Sequence, residues 1–73
     1  MTNNELDKAK EDYLDIVIGK RLSDTWPNHN IYDIIFNERD GIQVPHVIGR
    51  NKNNPRDREY KKPLDTWLTD NGY

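Results

Sequence analysis

Asp40 and the later triplet Glu59-Tyr60-Lys61 are the residues whose types most resemble a catalytic set. They match the acid and Glu-x-Lys layout with which many nucleases hold magnesium. That chemistry needs the Glu and the Lys on a buried strand beside the first acid, so that metal and water share one shaped site. Residues 54–58, Asn-Pro-Arg-Asp-Arg, are too polar for such a strand. We therefore expect no metal site here.

Two further combinations are also incomplete. Asn28-His29-Asn30 shares letters with a His-Asn-His nuclease signature, but no second set of ligands follows at a suitable spacing. Ser23 and His46 offer a nucleophile and a base, a pair that chance alone supplies in most chains. The four glycines are isolated, so there is no glycine-rich phosphate loop. We expect a protein that is not an enzyme, with no catalytic residues, no cofactor and no metal.

Charge is distributed unevenly along the chain. Residues 50–62 hold six bases and two acids, a net charge of +4, although the whole chain carries −2. Such a segment could bind phosphates through its cations, with Tyr60 stacked on a base. Asp57 and Glu59 interrupt the run, and a solvated loop that maintains solubility is the simpler interpretation. The candidate nucleic-acid-binding or acidic-partner-binding residues are Arg50, Lys52, Arg56, Arg58, Lys61 and Lys62.

An acidic strip is predicted on the first helix. Asp7, Glu11 and Asp15 are successive i, i+4 neighbours, about 5–6 Å apart on a helix surface. Such a strip can imitate a nucleic-acid backbone or dock on a basic protein surface; the alternative is an ordinary solvated helix face. The candidate partner-binding residues of this face are Asp7, Glu11, Asp12, Leu14, Asp15 and Ile18.

Aromatic side chains are abundant for so short a chain, with two Trp and four Tyr. Trp, Tyr and Arg are enriched where binding energy concentrates. Trp26, Trp67 and Tyr60 are therefore candidate anchors for a partner. We expect at least one tryptophan to fill the core, and the sequence does not decide which.

The elements that must position these residues begin with a helix over 3–18. Thr2 and Glu5 fit a capping box. The helix ends at Gly19 through a left-handed cap or continues to Leu22 before Trp26-Pro27. Its apolar face is predicted from helical spacing to consist of Leu6, Ala9, Tyr13, Ile16 and Val17.

Residues 31–48 predict a β-hairpin around the turn pair Asp40-Gly41. In its second strand Ile42, Val44, His46 and Ile48 share one face, and Gln43, Pro45 and Val47 share the other. Because Pro45 lacks a donor, we expect this strand at a sheet edge or broken there, with His46 half-buried. A short helix over 30–39 is the competing interpretation.

The rest of the chain predicts an exposed basic loop over 49–62 and a short closing helix. Pro63 suits the first helical position, Leu64, Trp67 and Leu68 form one face, and Gly72 suits the exit. The predicted fold class is α+β in one small domain, 1–73: an N-terminal amphipathic helix packed on a hairpin or small antiparallel sheet, then the loop and the helix.

Composition limits what such a fold can do. Only 33% of the 73 residues are hydrophobic and none is cysteine, so neither a large core nor disulfides can stabilise the chain. A partner surface is the remaining source of stability. We expect a stoichiometric inhibitor or modulator of a larger host protein, of the kind that phages and plasmids encode, with a target in replication, transcription or defence.

The alternative function is a small nucleic-acid-binding protein that uses the basic loop. A second copy of the chain is a further candidate partner. The longest aliphatic run, Ile16-Val17-Ile18, is far too short to cross a bilayer, so we expect no membrane association. The polar, acidic N-terminus and the lack of cysteine favour a cytoplasmic location, the host cytoplasm for a viral gene.

Overall fold

The three strands of this protein form one antiparallel sheet in the order β1-β2-β3. The computed structural model describes the backbone of residues 3–73 and the side chains of Lys8 and residues 10–73. The layout is α+β, as predicted. Its elements are α1 (Asn3–Val17), β1 (His29–Arg39), β2 (Ile42–Asn51), β3 (Tyr60–Pro63) and α2 (Leu64–Asp70).

The hairpin of β1 and β2 forms at the predicted turn. Asp40 and Gly41 have φ values of 54° and 79°, and a type I′ turn requires positive φ at both central residues. The competing helix over 30–39 is wrong, because that segment pairs with β2 from His29↔Asn51 to Arg39↔Ile42, with a bulge at Tyr32.

The predicted loop over 49–62 is too long, because both of its ends are strand. β2 continues to Asn51, and β3 pairs with it from His46↔Pro63 to Gly49↔Tyr60. The connection is therefore residues 52–59. The charged pair Lys61-Lys62 concealed β3 in the sequence, although a short edge strand that carries lysines is a common defence against aggregation.

The strand that contains Pro45 is neither at the sheet edge nor broken, contrary to the expectation. β2 is the central strand rather than an edge strand, yet it remains continuous through Pro45. The β2–β3 pairing ends at His46, one residue away. At Pro45 the strand therefore has a neighbour on one side only, which reduces the number of ladder hydrogen bonds that a missing N–H could cost.

The core lies between the two helices and one face of the sheet. Residues 19–22 run beside β1, where Gly19 N donates to Ile31 O and Leu22 N donates to His29 O, both at 2.8 Å. Gly49 permits this approach, because a Cβ there would lie 3.2 Å from Leu22 Cβ. The buried apolar residues are Val17, Leu22, Ile31, Ile34, Val47, Leu64 and Trp67.

Helix α1 contacts the core through Val17 of the expected face and through Leu14, which was not part of that face. Val17 is fully buried and Leu14 packs against the core, whereas Tyr13 and Ile16 are 41% and 36% exposed. Leu14, predicted beside the acidic strip, therefore belongs to the packed side. The Thr2–Glu5 capping box and the side chains of Leu6, Asp7 and Ala9 lie outside what the structure describes.

Each helix ends two residues before a glycine with positive φ. α1 ends at Val17, and Gly19 has a φ of 76°. α2 ends at Asp70, with Leu64 and Trp67 buried and Gly72 at a φ of 80°; Pro63 is its N-cap rather than its first residue. Within residues 3–73, no helix is long and apolar enough to cross a membrane.

Candidate binding surfaces

The residues that could have formed catalytic sets lie apart. Asp40 occupies the hairpin turn, whereas Lys61 pairs with Ile48, six residues along β2 from Ile42, which is about 20 Å at strand spacing. Ser23 Oγ accepts a hydrogen bond from Trp26 N at 3.3 Å. Among the described residues, no three His, Asp or Glu side chains are grouped closely enough to hold a metal ion.

Both histidines are buried and engaged with the backbone. His29 is 3% exposed, and its Nε2 donates to Arg58 O at 2.9 Å. His46 is 7% exposed and its Nδ1 donates to Val44 O at 3.0 Å. His46 lies on the central strand, so its expected place on a half-buried edge strand is wrong.

The two acids in the 52–59 loop point toward the sheet and hold the loop. Asp57 Oδ2 accepts from Asn51 Nδ2 at 3.0 Å and lies 3.8 Å from His29 Nε2. The hydrogen bond from Asn51, then that from the Arg58 backbone N–H, holds the pKa of Asp57 below its usual value. Tyr32 Oη donates to Glu59, an interaction that raises the pKa of Tyr32.

Four of the six predicted basic residues lie exposed around this loop, and Lys61 lies beside it, exposed on β3. Arg50 places its guanidinium carbon 4.6 Å from the centre of the Tyr32 ring, a cation–π contact. Lys62 differs from the other five, because it shares the helix-covered side of the sheet with Val47 and pairs with Asp70. The basic surface therefore consists of Arg50, Lys52, Arg56, Arg58 and Lys61.

The structure separates the three predicted aromatic anchors. Trp67 is 1% exposed and its Nε1 donates to Arg21 O at 3.1 Å, so it fills the core and is not a surface anchor. Trp26 stacks on Tyr60 with ring centres 4.1 Å apart, and His29 meets Tyr60 edge-on. This half-buried stack covers the β3 end of the core.

The acidic strip of α1 is exposed at Glu11, Asp12 and Asp15, and Ile18 beside it is 48% exposed. Lys10 on the same helix forms an ion pair with Asp33 at 3.1 Å. The side chain of Asp7 lies outside the described part. The strip is therefore open to a partner at three of its four predicted acids.

The sheet has a second face, which we call the open face. Cross-strand partners share a face, and Ile34 and Val47 are partners in the core. The adjacent pairs Ile35↔His46 and Asp33↔Ile48 therefore point the other way. Both helices pack on the core side, through Val17, Leu64 and Trp67.

Aliphatic side chains occupy the open face in a row. Ile42 is 66% exposed, whereas Val44, Ile48 and Ile35 are half-buried, and His46 between them is 7% exposed. The bases Arg39, Arg50 and Lys61 surround this row, and all three are exposed. Two acids lie beside the row. Asp33 forms an ion pair with Lys10, and Glu59 accepts a hydrogen bond from Tyr32.

Sequence reasoning grouped Ile42, Val44, His46 and Ile48 on one face but did not select them as a site. The signal was the Asp40-Gly41 turn, whose two-residue register also places Ile35 opposite His46. No signal in the sequence indicates which face of the sheet the helices cover. Comparison of the chain with protein-family models, with curated proteins and with solved structures finds no match.

Proposed function

We propose that this chain is a small protein-binding module that acts by covering a surface of a larger protein, not by catalysing a reaction. The observation that supports this proposal is the row of Ile35, Ile42, Val44 and Ile48 on the open face. An antiparallel sheet with one solvated face ordinarily carries polar residues there. Along β2 His46 separates Val44 from Ile48, and Ile35, opposite His46, lies diagonal to both, within reach of the same partner. Apolar area grouped on that face is typical of an interaction site.

The charges around the row specify the chemistry of the partner. Arg39 lies at the hairpin end, Arg50 at the loop end and Lys61 on β3. A complementary surface is apolar at its centre and carries carboxylates at its rim. Two copies of this chain joined through their open faces would bring bases toward bases, which disfavours a homodimer of that kind.

A module of this kind blocks the surface that it covers, and one molecule of the module is needed for each molecule of the partner. We propose stoichiometric inhibition of a larger protein, a host protein if the gene belongs to a phage or plasmid. The acidic strip of α1 would require a partner of the opposite charge. Variants of the open face and of the acidic strip therefore show which of the two surfaces binds the partner.

Ile42→Lys and Ile18→Lys form a matched pair for this test, since both replace an exposed isoleucine by the same cation. We expect Ile42→Lys to reduce capture of the partner from a lysate of gene-carrying cells at least tenfold, because the ammonium group must enter an apolar contact. Ile18→Lys is expected to capture as well as the unaltered chain. Quantitative mass spectrometry of the captured protein gives the measurement.

The lysate is treated with nuclease before capture, so that a shared nucleic acid cannot bridge two proteins. Loss of capture with Ile18→Lys but not with Ile42→Lys would assign binding to the acidic strip and contradict the proposal. Equal capture by both variants would also contradict it. Thermal unfolding of each variant verifies that the fold is retained.

A further inference from the structure

The 52–59 loop forms a second surface, which adjoins the row of aliphatic side chains at Arg50 and Lys61. Its bases and acids alternate in sequence but point in different directions. Asp57 and Glu59 are bound to Asn51 and Tyr32, whereas Lys52, Arg56 and Arg58 are exposed. Both acids are exposed as well, but their oxygens already accept hydrogen bonds from neighbouring side chains, so the bases are the charged groups of this loop that lack a partner within the described part of the chain.

The bases of this surface are available for a ligand. Among residues whose side chains are described, no carboxylate oxygen lies within 4 Å of the cationic groups of Arg50, Lys52, Arg56, Arg58 or Lys61. Exposed cations that lack internal partners keep their full hydrogen-bonding capacity for phosphate oxygens. Arg is the better of the two at this, because its fork binds an oxyanion in a bidentate manner.

The loop is also held in one shape before any ligand arrives. Asn53 N donates to Asn51 Oδ1 at 2.9 Å, and Arg56 N donates to Asn54 Oδ1 at 3.1 Å. Lys52 N donates to Asn28 O at 3.1 Å, and His29 anchors Arg58 O. Binding therefore requires less ordering of the backbone than a flexible basic tail would need.

The aromatic rings nearby are not available for stacking on bases. Tyr60 stacks on Trp26 and is met edge-on by His29. Tyr32 lies under Arg50 and is tied to Glu59. Proteins that bind single strands use free aromatic faces, whereas here one face of each of these rings is already in contact with another side chain. The arrangement favours a ligand whose phosphates alone make the contacts.

We infer that Arg50, Lys52, Arg56, Arg58 and Lys61 bind the phosphate backbone of double-stranded nucleic acid without reading its bases. Contacts of this kind position a protein on a duplex and carry no direct sequence information. They also make affinity fall steeply with salt, because each neutralised phosphate releases counterions. Arg50 and Lys61 also border the open-face row, so Lys52, Arg56 and Arg58 are the bases specific to this surface.

The test is fluorescence anisotropy of a short labelled DNA duplex titrated with the protein over a salt series. Arg56→Ala with Arg58→Ala is expected to lower the slope of log affinity against log salt by about 1.8, since each phosphate contact contributes about 0.9. The control, Lys8→Ala with Lys20→Ala, removes the same charge from exposed positions outside the loop and outside the rim of the open-face row. We expect it to leave the slope unchanged.

Three results would overturn the inference: no duplex binding at low salt, the same slope for both double variants, or tighter binding of the single strand than of the duplex. Polyglutamate serves as a polyanion of different chemistry, and equal affinity for it would also overturn the inference. Ile42→Lys should bind the duplex normally. Normal duplex binding by Ile42→Lys would show that Ile42 is not needed for binding nucleic acid. If the proposed protein binding through the open face proves wrong, the duplex measurement still stands.

Discussion

Val44 and Val47 are the same residue type on the same strand, yet they have opposite surroundings. Val47 is fully buried with Leu22, Ile34 and the helices, whereas Val44 is half-buried and faces outward beside Asn37. The pleat of β2 gives the sheet two apolar faces, and the helices cover one of them. Folding uses one face, and we propose that binding uses the other.

Substitutions in the covered face should have the largest effect on stability. Trp67→Ala removes a side chain that is 1% exposed together with its hydrogen bond to Arg21 O. We expect a loss of about 3–5 kcal/mol in the free energy of unfolding, which is comparable to the whole stability of a domain of this size. Circular dichroism in urea measures it.

Trp26→Ala is the control for that variant. Trp26 is half-buried and stacks on Tyr60, so its removal should cost clearly less than the removal of Trp67. Equal losses would mean that the two tryptophans contribute alike, contrary to the described core.

The two valines give the sharpest version of the comparison. Val47→Ala should cost about 2 kcal/mol, because two buried methyl groups are lost at about 0.8 kcal/mol each and a small cavity remains. Val44→Ala should cost about 0.5 kcal/mol, as for other surface sites. Equal costs by urea unfolding would show that the open face is covered in the free protein.

Much of the fold follows from local signals in the sequence. The Asp40-Gly41 turn specifies the hairpin and its register, and Gly19 and Gly72 mark the ends of the helices. The strand β3 was missed because only Tyr60 in it is apolar, and its place depends on pairing with β2. The helix-facing side of β2 was also not predictable, since it depends on Gly49 and Leu22, residues 27 positions apart that meet only in the folded chain.

The binding surfaces were predictable to a smaller extent. Exposure of the loop bases followed from composition. The inward direction of Asp57 and Glu59 did not, because it depends on Asn51 and on the bulge at Tyr32. Trp67 and Trp26 have similar sequence surroundings, and only packing assigns one to the core.

Acid should release the loop while the core remains folded. The pKa of Asp57 is lowered in the folded protein, so its contribution is present above the unfolded pKa of about 3.9 and is lost as the pH falls through the lower folded value. We expect the protection of amides in residues 52–58, measured relative to the intrinsic exchange rate at each pH, to fall in that range, with Val47 still protected. In Asp57→Ala the loop should exchange quickly at neutral pH as well; a loop that stays protected would contradict the assigned role of Asp57.

The smallest effect should occur at high pH. The hydrogen bond to Glu59 raises the pKa of Tyr32, so its contribution is present below about pH 10 and is lost as the pH rises through the higher folded value. Tyr32→Phe should abolish this alkaline step and leave the acidic one. Ultraviolet titrations of tyrosinate absorbance are recorded for both chains, and their difference gives the titration of Tyr32 alone. A midpoint of that difference at or below about 10, the ordinary value, would contradict the contact.

Photo-crosslinking shows whether the open face meets another protein, as we propose. A benzophenone amino acid placed at Val44 is compared with the same group at Thr66, an exposed position on α2, in nuclease-treated lysate of gene-carrying cells. If the open face binds a partner, we expect a crosslink to one larger protein from position 44 and none from position 66. Equal crosslinking from both positions, or a crosslink from position 44 only to a second copy of the chain, would contradict it.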